Sequence, residues 1–367
     1  MKQISNISAR SIFNPTRMLA IIWIVTYYAL GYADDGYPNT GGMRGDADKD
    51  WHKLCISVKD AQPPKSDLPS AQNISALNGC VPTDLYYEAK RKIATNNADW
   101  EKVKDCAFEK NDRNVLMMLY ANGFGVSKKV NLATKYACEI GGAPAEVEGR
   151  IWHLARMSDG RDDRTFDLCD DITSGYMQGI CTSFEERQNA RERNGRLAEI
   201  TENWPQFQKE AFLSLQNALR SFAKHVSDEE TDSSGSGRAA FMIEAEAAEI
   251  AFFVDDLSDF EYGNMPRFTS RQFKEYDKTL NQLYRKIMQS ESMTGSRLGY
   301  TTITKVGVKN TQRAWLKYRD AWVAFGHIKY PSVAPQSWKA LLTERRIKTL
   351  EHLLEVQRMG SNFKKVE

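Results

Sequence analysis

Five histidines, His52, His153, His225, His327 and His352, are scattered singly through 367 residues and form no His-x-x-x-His or His-Glu sequence. A metal hydrolase or a His-activated nucleophile needs such groups converging on one point, and this spacing does not provide it. There is no Gly-x-Ser-x-Gly elbow and no phosphate loop. Gly123-Phe124-Gly125 places Lys128 where a dinucleotide fingerprint requires its third glycine. The paired acids Asp162-Asp163, Asp170-Asp171 and Asp255-Asp256 offer carboxylates. Neighbours on a helix point about 100° apart, whereas a glycosidase needs two carboxylates facing each other across a bond, so these read as caps and solvated faces. Asp228, Glu230, Asp232 and Ser234 alternate as calcium ligands do, but Ser233 and Ala239 stand where an EF-hand needs Gly and a bidentate Glu. The sequence therefore predicts no catalytic residue, no metal site and no cofactor.

The cysteines carry a different message. Cys55, Cys80, Cys106, Cys138, Cys169 and Cys181 are even in number, and the closest two are separated by eleven residues, too far for a usual zinc pair. The first 33 residues hold Lys2, Arg10 and Arg17, no acid, and the apolar run Leu19 to Leu30. As a helix that run spans about 18 Å, short of the roughly 30 Å hydrocarbon core. It reads as a signal peptide cleaved near Ala33, with 34–50 a flexible linker. No cysteine follows the cleavage point, so lipid attachment there is not supported. A periplasmic or secreted chain with no membrane span after cleavage follows, and in that compartment six cysteines are expected as disulfides.

Fifty Lys+Arg against 48 Asp+Glu give +2, which argues against nucleic acid as a partner. The charge is segregated, however. Residues 228–262 hold eleven acids and one base, whereas 267–367 hold twenty bases and eight acids. Either the two segments neutralise each other inside one bundle, or Glu229, Glu230, Asp232, Glu244, Glu246 and Glu249 steer a basic partner protein.

The elements that carry these residues read as helices throughout, giving an all-α fold in which a short α-solenoid of disulfide-tied helical hairpins precedes a helical bundle. Cys106, Cys138 and Cys169 recur every 31 to 32 residues. Leu116 to Val126 and Leu132 to Gly141 form the clearest unit, with glycines expected to end each helix. Leu119-Tyr120, Gly123, Gly125-Val126, Ala133, Ala137 and Gly141 resemble the Sel-one-like repeat, and about two and a half such repeats would cover 51–187. Secreted members of that family often tie their hairpins with disulfides. The resemblance favours Cys169 with Cys181, then Cys106 with Cys138 and Cys55 with Cys80, among fifteen connectivities.

After 187 the cysteines stop. Residues 188–262 read as long helices around the acidic loop, and 263–367 as a bundle core. Tyr276, Leu280, Leu283, Tyr284 and Ile287, and then Trp315, Tyr318, Trp322 and Phe325, recur at helical spacing and are read as core. Three segments, Asp277-Lys-Thr-Leu280-Asn281-Gln-Leu-Tyr284, Gln312-Arg-Ala-Trp315-Leu-Lys-Tyr318-Arg319-Asp320-Ala321 and Leu342-Thr343-Glu-Arg-Arg346, resemble the LprI-type lysozyme inhibitor N-terminal domain. That family commonly has cysteines at two places where this chain has Trp322 and, nearby, Trp338, so aromatic packing is expected to replace a staple.

The resemblance implies a non-enzymatic inhibitor of a lysozyme or related peptidoglycan hydrolase, acting by occlusion through a polar loop or helix end. An immunity protein for a toxin delivered into the periplasm, and an envelope scaffold, are the alternatives. Glu230, Asp232 and Arg238 are the exposed candidates for contact. Asp277, Leu280, Asn281, Tyr284, Gln312, Trp315, Tyr318, Arg319, Asp320, Thr343 and Arg346 are read as structural. Arg319 is expected to pair with Asp277 or Asp320 beside the aromatic stripe, with Arg346 in a similar role. The oligomeric state is left open.

Overall fold

A computed structural model describes residues 37–38, 47–70, 77–92, 95–290 and 296–363. The leader at 1–33 and most of the linker at 34–50 lie outside the described residues. All regular elements described are helical: α1 (Asp50–Val58), α2 (Pro82–Arg91), α3 (Asn97–Glu109), α4 (Arg113–Asn122), α5 (Val130–Glu139), α6 (Pro144–Ser158), α7 (Gly175–Thr201), α8 (Gln206–Glu229), α9 (Arg238–Glu261), α10 (Ser270–Gln289), α11 (Lys305–Lys329) and α12 (Pro335–Phe363), with one short 3-10 turn at Lys65–Asp67. No strand occurs among the described residues. One isolated antiparallel bridge joins Arg297 and Thr304. No described helix is long and apolar enough to cross a membrane.

The chain divides into two compact units that interleave in sequence. The first comprises Met1–Leu68 and Asn111–Phe166, the second Pro69–Lys110 and Asp167–Glu367. In the first unit, Asp112 caps α4 by accepting the Val115 N–H at 3.1 Å. Every residue from Val115 to Ala121 is buried, so α4 is enclosed on all sides. It stops at Gly123, whose φ of 76° is left-handed and whose missing Cβ would sit 3.2 Å from Lys128 Cβ. The second expected glycine stop is not used. Helix α5 ends because Ile140 turns extended, at φ −94° and ψ 118°, and Gly141 has no positive φ. Cys55–Cys138 ties α1 to α5.

In the second unit α2 packs against α3 and α7, α7 against α9, α8 against α9 and α11, and α12 against α10 and α11. Cys80–Cys106 and Cys169–Cys181 both lie here. The pairings expected for Cys106 with Cys138 and Cys55 with Cys80 are therefore exchanged. The repeat resemblance favoured the expected pairs, but packing decides otherwise: α1 lies on α5, and α2 on α3, so that Cys80, just ahead of α2, meets the buried Cys106. The division placed at 187 falls inside α7, which runs unbroken from Gly175 to Thr201.

The core of this unit is aromatic. Trp204, Phe212, Phe253, Phe260, Trp315, Tyr318, Trp322, Phe325, Tyr330 and Trp338 are buried in one cluster with Leu280 and Ile287, and Tyr276, Leu283 and Tyr284 pack on its edge. Trp322 and Trp338 stack with centroids 5.7 Å apart and planes 13° from parallel. They hold α11 to α12 where the LprI-type pattern has cysteines. Gly326, one turn beyond Trp322, leaves room for the second indole, since a Cβ there would lie 2.6 Å from Trp338 Cε2.

Candidate functional site

The sequence-predicted contact residues do not form one exposed patch. Glu230 closes the end of α8, and its carboxylate receives Arg346 Nη1 and Nη2 from α12, each at 2.6 Å. Arg346 Nε donates to Gln312 Oε1 on α11 at 2.9 Å. Both charged side chains are 1% exposed. Glu230 is therefore a core residue and not a surface contact, and the two-pronged guanidinium supplies the hydrogen bonds that its carboxylate loses with water. Arg345 beside it makes a second bidentate pair with Asp256, at 2.9 Å on both arms. Glu249 shares this region. Burial pushes its carboxyl up from the usual range, against the pull of Arg345 and Arg346. These pairs, with Lys329 and Glu261 at 3.3 Å, neutralise part of the acidic segment against the basic one.

Asp232 is also engaged. One carboxylate oxygen accepts the Thr302 N–H at 3.0 Å, the Thr302 hydroxyl at 3.0 Å and the Ser234 N–H at 3.1 Å, while the other accepts the Ser234 hydroxyl at 2.8 Å. Thr302 Oγ1 in turn accepts the Ser233 N–H at 2.8 Å. Partial burial opposes ionisation, but these four donors outweigh it and hold the Asp232 carboxyl below its ordinary value. Arg238 opens α9 and is exposed. The alternating acids do not converge on a cation: Asp228 pairs with Lys224 at 2.6 Å, Glu230 with Arg346 and Asp232 with Thr302.

What Asp232 holds is an element the sequence reading did not single out. Residues 296–305 fold as a small hairpin: Lys305 N–H donates to Ser296 O at 2.9 Å and Leu298 N–H to Ile303 O at 2.8 Å. Leu298 and Ile303 are buried as anchors, while Tyr300 at the tip is 64% exposed. Gly299 takes the positive φ that the tip requires. The Thr301 hydroxyl donates to Leu298 O at 2.6 Å and its oxygen accepts the Ile303 N–H at 3.2 Å, so the tip is braced from within. Thr304 then caps α11 by accepting the Gly307 N–H at 3.0 Å. The available signal was Leu298-Gly-Tyr-Thr-Thr-Ile-Thr304, a Thr-rich stretch with a glycine and two apolar anchors between helical segments.

The remaining quoted residues are structural in their contacts. Arg319 lies 5.2 Å over the Trp315 ring and bonds Asp320 at 2.9 Å, so of its two expected partners Asp320 is the one engaged. Asp277 instead receives Asn281 Nδ2 one turn along α10, at 2.7 Å on its carbonyl and 3.1 Å on its carboxylate. Thr343 is buried and donates to Lys339 O at 2.6 Å. Leu280 and Tyr318 are buried.

The fold and this surface define an all-α, three-disulfide chain with a braced, tyrosine-tipped hairpin. Residues 261–350 match the family described as Lysozyme inhibitor LprI. The matched segment includes α10, the hairpin, α11 and the first half of α12. Comparison with curated proteins and with solved structures finds no match. The three disulfides fit an oxidising, extracytoplasmic compartment.

Proposed function

We propose that this protein is an exported inhibitor of a lysozyme-class peptidoglycan hydrolase, acting by occlusion, with the 296–305 hairpin as its contact element. The observation that carries the reading is the position of Tyr300. It stands exposed at the tip of a hairpin inside the matched segment, on a backbone braced by Asp232 from outside that segment. A rigid tip loses little conformational freedom on entering a cleft, which favours affinity, and tyrosine supplies contact area at low entropic cost. Asp232 acts as a positioning residue for the hairpin, and Arg238 is a rim residue. Residues 51–187 are read as a helical-repeat module.

The test is a cell-wall clearing assay with the disulfide-bonded protein and its Tyr300→Ala variant against several lysozymes. The account expects inhibition by the native protein and at least tenfold weaker inhibition by the variant, in the range of a hot-spot truncation. Equal inhibition by both would remove the hairpin from the interface. No inhibition of any lysozyme would turn the reading toward a dedicated toxin partner.

A further inference from the structure

Four of the six described acids of the basic C-terminal segment have partners, and the other two, Glu351 and Glu355, lie on α12. Glu275 takes Arg271 at 3.0 Å, Asp320 takes Arg319, Asp277 accepts from Asn281, and Glu344 accepts the Tyr276 hydroxyl at 3.0 Å. Lys278, Arg285 and Lys286 on α10 and Lys309, Arg313 and Lys317 on α11 are all exposed and make no ion pair among the described residues. On α11, Lys309, Arg313 and Lys317 follow at i, i+4 and i+8 and so share a face. On α10, Lys278 and Arg285 are seven apart and fall on one face, with Lys286 beside them.

The end of α10 meets the start of α11. Lys305, opening α11, donates its Nζ to Met288 O at 3.1 Å and to Ser290 O at the end of α10. The α11 stripe is interrupted by apolar side chains: Val306 is 59% exposed and Leu316 37%. Val306, Lys309, Arg313, Leu316 and Lys317 thus mix exposed apolar and cationic groups on one face, and a lipid interface can take both, its headgroups the cations and its acyl boundary the apolar side chains. A soluble polyanion would use the cations and leave the two apolar side chains without a role.

We infer that the exposed face of α11 is a docking surface for an anionic membrane leaflet, with Lys309, Arg313 and Lys317 meeting phosphate headgroups and Val306 and Leu316 reaching the interface. Charge complementarity selects this occupant, and the surface is unsuited to a basic lysozyme, so the inference stands apart from the proposed inhibition. It would hold the hairpin, continuous with α11 at Lys305, close to the envelope surface where a wall hydrolase works.

Vesicle co-sedimentation of the full, disulfide-bonded chain tests it. At low salt the protein is expected to bind vesicles containing phosphatidylglycerol and not vesicles of phosphatidylcholine alone, and to be released as salt is raised. The triple variant Lys309→Gln, Arg313→Gln, Lys317→Gln is expected to bind about a hundredfold more weakly, from the typical contribution of a base at such a surface. Leu316→Ser should weaken binding at high salt more than at low salt. Neutralising three bases elsewhere, Lys59→Gln, Lys110→Gln and Lys128→Gln, controls for net charge, and thermal melts of each variant report folding. Equal weakening by the control set would overturn the inference. So would binding to neutral vesicles, absence of binding to anionic ones, or capture by soluble polyphosphate with no vesicle binding.

Discussion

Arg346 and Glu230 lie 116 residues apart and meet in the interior through two 2.6 Å hydrogen bonds, with Gln312 completing the guanidinium's contacts. The pair joins the end of α8 to α12 through α11, and it fixes where the loop carrying Asp232 begins. Removing one partner strands the other charge away from water. Glu230→Ala or Arg346→Ala is expected to cost about 3–5 kcal/mol in denaturant unfolding. Replacing both, Glu230→Leu with Arg346→Met, is expected to recover most of that loss. A single substitution that leaves the midpoint unchanged would remove the pair from the account of stability.

Trp322 and Trp338 give a second prediction. Gly326→Ala puts a methyl group into the space of the Trp338 indole. It is expected to destabilise the second unit by about 1–3 kcal/mol, as overpacking does, and Trp338→Phe in the same chain should relieve part of it. Thermal melts of the native protein and both variants measure this.

The Asp232 clasp has a pH signature. Its folded carboxyl is held below the unfolded value of about 3.9. The stabilisation is therefore complete above that value and is lost as pH falls through the folded one. Asp232→Asn is expected to lower the melting temperature at pH 7 and to differ little from the native protein well below pH 4. Thr302→Val, which removes a donor and the acceptor for Ser233, is expected to cost about 1–2 kcal/mol and to speed amide exchange across 298–304.

The disulfide pattern is directly measurable. Non-reducing peptide mapping is expected to return Cys55–Cys138, Cys80–Cys106 and Cys169–Cys181. By loop-closure entropy, Cys55–Cys138, spanning 83 residues, should stabilise by about 4–5 kcal/mol, and Cys169–Cys181, spanning 12, by about 3 kcal/mol. Paired Cys→Ala variants test that order.

Much of this molecule was legible in its sequence because helical periodicity is local. The stripes at Leu280, Ile287, Trp315, Tyr318, Trp322 and Phe325 mark their buried faces, and the departure from the cysteine pattern foretells that Trp322 and Trp338 meet. What was not legible depends on distant chain. Glu230 sits in a run of acids and serines that reads as solvated loop, and nothing near it announces Arg346. The hairpin has two apolar anchors, too few to show a period, and its brace comes from Asp232, seventy residues upstream of Thr302. The exchanged cysteine partners follow from which helices pack, an arrangement that spacing along the chain does not encode.

The central claim is occlusion of a hydrolase cleft, and steady-state kinetics of a lysozyme on a soluble chito-oligosaccharide, at rising concentrations of the native protein, test it most directly. Occlusion predicts that the apparent KM rises in proportion to inhibitor while kcat stays constant, and that the effect falls away in the Tyr300→Ala variant. A falling kcat at unchanged KM, or turnover unaffected at any concentration, would contradict it.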